Sequence, residues 1–123
     1  MPRIRDVMGA GNSSGSSQAI VNTSGQVTGT GTGSQAAGVL LSYANNDCVT
    51  ASSLDTFVLP TTAQGSAVGD VIYVTVETST SGVVYPGGSE TIVGSTSAKT
   101  VAQHKTAIFV RSSSTNWGYF VTA

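Results

Sequence analysis

Apolar and polar residues alternate most cleanly from Asp70 to Thr78. Ile72, Val74 and Val76 fall on one side, and Val71, Tyr73, Thr75 and Glu77 on the other. A period of two is that of a β-strand with one face buried. Shorter runs of the same kind surround it. Cys48-Val49-Thr50-Ala51 and Thr56-Phe57-Val58-Leu59 are rich in β-branched and aromatic residues, and Pro60 ends the second. Val83-Val84-Tyr85 precedes Pro86-Gly87-Gly88, where Pro then Gly at the central positions favours a type II turn. Thr91-Ile92-Val93 leads to a turn at Gly94. Ser97–Ala102 and Thr106–Arg111 form an expected hairpin across Gln103-His104. The last strand is expected over Asn116–Thr122, with Trp117, Tyr119 and Val121 on one face. Gln35–Tyr43 is ambiguous: Ala36, Leu40 and Tyr43 share a side of a helix, while Val39-Leu40-Leu41 serves equally as a strand.

Short strands at regular spacing with Gly and Pro between them predict an all-β body, a compact antiparallel β-sandwich or barrel over residues 36–123. Its core is expected to gather Ile72, Val74, Val76, Ile108, Val110 and Trp117.

The first 35 residues have a different texture. Residues 7–46 contain no charged side chain, and residues 9–38 hold eight Gly, six Ser and four Thr. Glycine raises the entropy cost of ordering, and few apolar groups offset it. Two readings fit: a flexible linker, or an N-terminal arm (residues 1–35) that orders on a partner through backbone hydrogen bonds and small apolar groups. Ala19-Ile20-Val21-Asn22-Thr23 and Gln26-Val27-Thr28 alternate well enough for short strands. On the second reading the candidate contacts with a partner are Arg3, Ile4, Arg5, Ile20, Val21 and Val27. Gly29-Thr30-Gly31-Thr32-Gly33 is no phosphate loop, because Gly-Lys-Ser/Thr does not follow it.

Composition then narrows the function. Charged residues make up 9% of the 123-residue chain, against about 25% in ordinary soluble domains. The formal net charge is −1, which gives no electrostatic reason to bind nucleic acid. With 18 Ser and 17 Thr, the surface holds water through small hydroxyls and can meet a like surface without stripping water from charges. One Cys excludes an internal disulfide and a Cys-rich zinc site. The N-terminus lacks a secretory apolar stretch, and Val39-Leu40-Leu41 is far too short to span a bilayer, so synthesis in a cytoplasm without membrane association is expected.

Catalytic chemistry has little to build with. His104, between Gln103 and Lys105, reads as a surface turn residue, and Cys48 as a buried thiol in an apolar strand. Asp47, Asp55 and Asp70 lack ion-binding loop spacing and read as turn or strand-end caps. Trp117, Tyr119 and Phe120 could stack a sugar but on a closing strand read as core. The expectation is no enzyme, cofactor or metal.

One ordered set of features resembles a known class. Leu59-Pro60, Val68-Gly69-Asp70 opening a strand, Val84-Tyr85-Pro86 with Gly87-Gly88, Ile92 and Gly94, Lys105-Thr106-Ala107-Ile108-Phe109-Val110 and Asn116-Trp117 together resemble small bacteriophage virion domains. These occur as capsid decoration (cement) proteins and as tail-fibre modules. The resemblance covers roughly residues 36–121 and implies a compact β-domain, a homotrimer, without catalytic residues. It further implies the major capsid protein as partner and a place on the capsid exterior. The alternative it leaves is a tail-fibre or receptor-binding module that recognises host glycan.

Overall fold

A computed structural model of the chain describes residues 24–31, 33–77 and 80–122. The fold is all-β, with ten strands in two sheets among the described residues. The strands are β1 (Ser24–Thr28), β2 (Val39–Leu40), β3 (Asn45–Val49), β4 (Thr56–Val58), β5 (Val71–Val76), β6 (Gly82–Tyr85), β7 (Thr91–Ile92), β8 (Lys99–Val101), β9 (Lys105–Arg111) and β10 (Asn116–Val121). The larger sheet runs β1-β3-β5-β9-β10-β7 and the smaller β2-β4-β6-β8. The ambiguous segment resolves into a 3-10 turn at Gln35–Ala37 followed by β2, with Leu41 fully buried just beyond it.

From β1 to β6 consecutive strands alternate between the sheets, and those that neighbour each other in a sheet run parallel. In the larger sheet Ser24 aligns with Asn45, and Asn45 with Tyr73; in the smaller, Val39 aligns with Phe57, and Phe57 with Val84. The path from β1 to β6 is thus a coil whose crossovers pass through the opposite sheet, as in a β-solenoid. Antiparallel pairing enters afterwards, where β8 joins β6 and the β9–β10 hairpin joins β5. The expected antiparallel sandwich or barrel is therefore corrected to mostly parallel coils with an antiparallel end. Gly, Pro and Asn mark a change of direction, and a corner into the other sheet uses the same residues as a hairpin.

Two local expectations change for the same reason. Lys99–Val101 and Lys105–Arg111 are not a hairpin: they lie in different sheets, and Ala102–His104 is the corner between them. After β6 the turn is not type II at Pro86-Gly87. Glu90 N–H donates to Gly87 O at 3.0 Å, and the positive φ, 54°, belongs to Gly88. Gly87 serves differently, since a Cβ there would press on the backbone oxygen of Leu59 at 2.6 Å.

The core lies between the sheets. Parallel register stacks Val27 on Cys48 and Cys48 on Val76, while Phe57, Leu59, Val84 and Val101 close from the other side. Buried Asn46 pins the corner that feeds β3, with Nδ2 donating to Tyr43 O (2.9 Å) and Tyr73 O (3.1 Å). Ile72, Val74, Val76 and Trp117 are buried as expected, but β9 turns the opposite face inward. Ala107, Phe109 and Arg111 are buried, and Ile108 and Val110 are only half-buried on the outer surface. The body also begins before residue 36: β1 is hydrogen-bonded into the larger sheet, and Tyr85 Oη donates to Gly33 O at 3.0 Å.

Candidate interaction surfaces

Because β9 is apolar on both faces, the outer side of the larger sheet also carries apolar side chains, several of them exposed. Register places Tyr73, Ile108 and Phe120 in one row across β5, β9 and β10, continued by Asn45 of β3 and Ser24 of β1. The adjacent row holds Val71, Val110 and Gly118. Phe120 is 59% exposed, Tyr73 43% and Val71 38%. The next row is Asp47, Thr75 and Thr106, whose two hydroxyls bond each other at 2.9 Å. Asp47 is the single charged residue at the outward positions of β3, β5, β9 and β10. A contiguous apolar stripe bordered by hydroxyls is suited to a protein surface, since covering it strips no ions of water.

Among the described residues, β1 and β2 are the outermost strands of their sheets, at the same end of the coil. Leu40 of β2 is 39% exposed, and Val39 is half-buried.

The loops at the edge of β9 and β10 are locked by a buried ion pair. Arg111, 1% exposed, donates from Nη2 to Glu90 Oε1 and to Pro60 O, both at 2.7 Å, and from Nε to Ser66 Oγ at 2.8 Å. Its Nη1 reaches Ser114 O at 3.2 Å, and the guanidinium lies 4.5 Å over the Trp117 ring. The other Glu90 oxygen accepts from Thr62 N–H at 3.1 Å. This cluster joins three loops and leaves neither charge unpaired, so it works as a clamp. Neither residue stands out in the sequence; an Arg ending a strand reads as a solvated terminus, and only the inward parity of β9 reveals it.

The sequence-derived candidates fall in different places. Arg3, Ile4, Arg5, Ile20 and Val21 lie outside the described residues, as does the expected strand Ala19–Thr23. Val27 is described: it faces the core at 6% exposure, and is a packing residue there. His104 is exposed in the corner before β9, with φ 66°. Cys48 is fully buried, and burial, aided by the neighbouring Asp47 carboxylate, pushes its thiol from 9.0 up to about 12. Asp55 and Asp70 act as turn caps: Asp55 Oδ2 accepts from Ala51 N–H (2.6 Å) and Asp70 Oδ2 from Ala67 N–H (2.8 Å). Trp117 is core, Tyr119 stacks on Phe109 with centroids 5.5 Å apart, and Phe120 points outward. Among the described residues no three His, Cys, Asp or Glu side chains gather as a metal site, and no helix is long and apolar enough to cross a membrane.

Compared with known protein families and with curated proteins, the chain matches no family model and no protein.

Proposed function

We propose that the protein is a structural component of a bacteriophage virion, a capsid decoration (cement) protein that binds the assembled head as a homotrimer and stabilises it. The observation that carries this reading is the outer face of the larger sheet: a stripe from Val71 to Phe120, exposed, apolar and almost free of charge. Such a face gains from being covered in a large assembly, and the clamped loops at its edge keep it rigid before contact. The major capsid protein is the proposed partner, with neighbouring copies of the chain completing the trimer. Arg3, Ile4 and Arg5 are proposed to add contacts from the N-terminal segment.

The test uses undecorated capsids of the parent phage. Full-length protein should bind them and raise their resistance to heat. Phe120→Asp should weaken binding roughly thirty-fold, the loss of an anchor worth about 2 kcal/mol. Equal binding by Phe120→Asp and the parent protein would remove the face from the contact. Failure of both to bind would remove the decoration reading.

The parallel coils favour a second reading, a tail-fibre or receptor-binding module, because coils stack end to end into a shaft. A cryo-EM map of the parent virion decides between the two, by locating this density on head or tail.

A further inference from the structure

Glycine in the interior of a strand weakens it, and is kept where there is a bulge, a tight bend or the close approach of another backbone or a ligand. Gly118 stands in the middle of β10, and the first reasons do not apply to it. The pairing with β9 runs unbroken, Trp117 on Arg111, Gly118 on Val110 and Tyr119 on Phe109. Every other described glycine has positive φ or, like Gly25 against the Tyr43 ring and Gly38 against Val58, would press a Cβ on a neighbour. Gly118 has ordinary extended backbone, and the nearest described atom to a Cβ there is Val110 O, in relaxed contact at 3.8 Å. What remains is an approach from outside the chain.

The missing side chain leaves a gap in the outer face of the larger sheet. Across the row its neighbour is Val110 of β9, and along β10 the residues of the same face are Asn116 and Phe120. Toward the sheet margin, Val93 N–H donates to Trp117 O at 2.7 Å. That bond carries the parallel register one step past Ile92 on Trp117 and sets Val93 beside Gly118. Val93 is 61% exposed with φ 51°, a conformation that strains a β-branched residue. Two adjoining positions thus depart from what stability alone selects. One has no side chain where a β-branched one fits, and the other has a β-branched one where Gly or Asn would relax the backbone.

The chemistry of the rim says what enters. Val93, Val110 and Phe120 are apolar. Asn116 is engaged within the fold: its Oδ1 accepts from Thr91 Oγ1 (2.7 Å) and Gly94 N–H (2.9 Å), and its Nδ2 donates to Ser112 Oγ (3.0 Å). A sugar ring needs partners for its hydroxyls, whereas an apolar side chain needs none. We propose that the gap over Gly118 receives an aliphatic or aromatic side chain of a protein partner, which packs against Val110 and Phe120. The proposal rests on the outer face being the surface of attachment, and there the side chain belongs to the major capsid protein. Gly118 is then a specificity-determining position, because any side chain on it fills the gap.

The experiment compares the full-length parent with Gly118→Ala and Gly118→Val. The thermal midpoint of free Gly118→Val should equal the parent's or exceed it by up to about 5 °C, since a β-branched residue suits extended backbone with space around it. Its binding to undecorated capsids should nonetheless fall roughly ten-fold or more, with Gly118→Ala between the two. An NMR titration with p-cresol reads the gap without the capsid. The Gly118 and Val110 amide signals of the parent should move and saturate in the millimolar range, while the Val110 signal of Gly118→Val stays still. Methyl β-glucoside should move neither. A lowered midpoint in Gly118→Val would mean that the chain itself fills the gap, and would overturn the proposal. Unchanged capsid binding by Gly118→Val would do the same, as would parent signals that ignore p-cresol, whether or not they answer the glucoside. Parent protein that answers p-cresol but binds no capsid would support the gap and remove the decoration reading.

Discussion

At the scale of single residues, Arg111 carries the sharpest consequence of burial. Its guanidinium sits in the core because five acceptors and the Trp117 face replace its water. Removing one partner of such a pair is costly since the other charge stays buried. Arg111→Ala should cost about 3–5 kcal/mol in urea unfolding. The double variant Arg111→Met with Glu90→Gln should recover a good part of that loss, and a double variant no more stable than Arg111→Ala would argue against the pair. Cys48 gives a second prediction. Folding holds the neutral thiol, so this stabilising contribution is complete below about pH 9, the ordinary thiol value, and is lost as pH climbs toward about 12. Thermal midpoints measured from pH 7 to pH 10.5 should fall more steeply for the parent than for Cys48→Ala, since other titrating groups are common to both. Thiol labelling at pH 8 should proceed only as fast as the protein opens.

At the scale of elements, β9 decides the arrangement of the larger sheet. Its sequence Lys105-Thr106-Ala107-Ile108-Phe109-Val110-Arg111 offers two apolar faces, and the packing selects Ala107 and Phe109 for the core. Phe109→Ala should cost about 3–5 kcal/mol, because it opens a cavity between Ile72 and Tyr119. Ile108→Thr, on the outer row beside Tyr73 and Phe120, should cost less than about 1.5 kcal/mol. The reverse order in denaturant midpoints would invert the strand. The loop after β6 has a comparable requirement. Gly87→Ala should destabilise by about 1–3 kcal/mol, since a methyl group at 2.6 Å from the Leu59 carbonyl oxygen forces rigid backbone to move.

At the scale of the molecule, attachment to a partner should be nearly blind to salt. The outward positions of β3, β5, β9 and β10 carry one charge, Asp47, so few ions are released or screened when the face is covered. Raising salt from 50 to 500 mM should change shell affinity by less than about three-fold, and replacing both Arg3 and Arg5 with Ala should remove most of that residual dependence. A steep salt dependence that survives the double replacement would mean a charged surface, not this face, makes the contact.

The sequence alone determined the all-β class, the positions of β4, β5, β6 and β10, the buried Cys48 and the turn at His104, because each depends on neighbours within a few residues. Alternation along one strand sets which residues share a face, and Pro60 or Gly94 stops a strand wherever its partner lies. Only the tertiary structure decided which strands pair. A corner into the opposite sheet and a hairpin use the same turn residues, and they differ in contacts between residues far apart, such as Asn45 with Tyr73 or Thr56 with Val83. The parity of β9 was likewise undecidable locally, since both of its faces are apolar and the choice rests on fit against Ile72 and Tyr119. The clamp of Arg111 and Glu90 and the outer row of Tyr73, Ile108 and Phe120 follow from that one choice. Each joins residues from separate strands and loops, and an interaction of that kind exists only once the chain has folded.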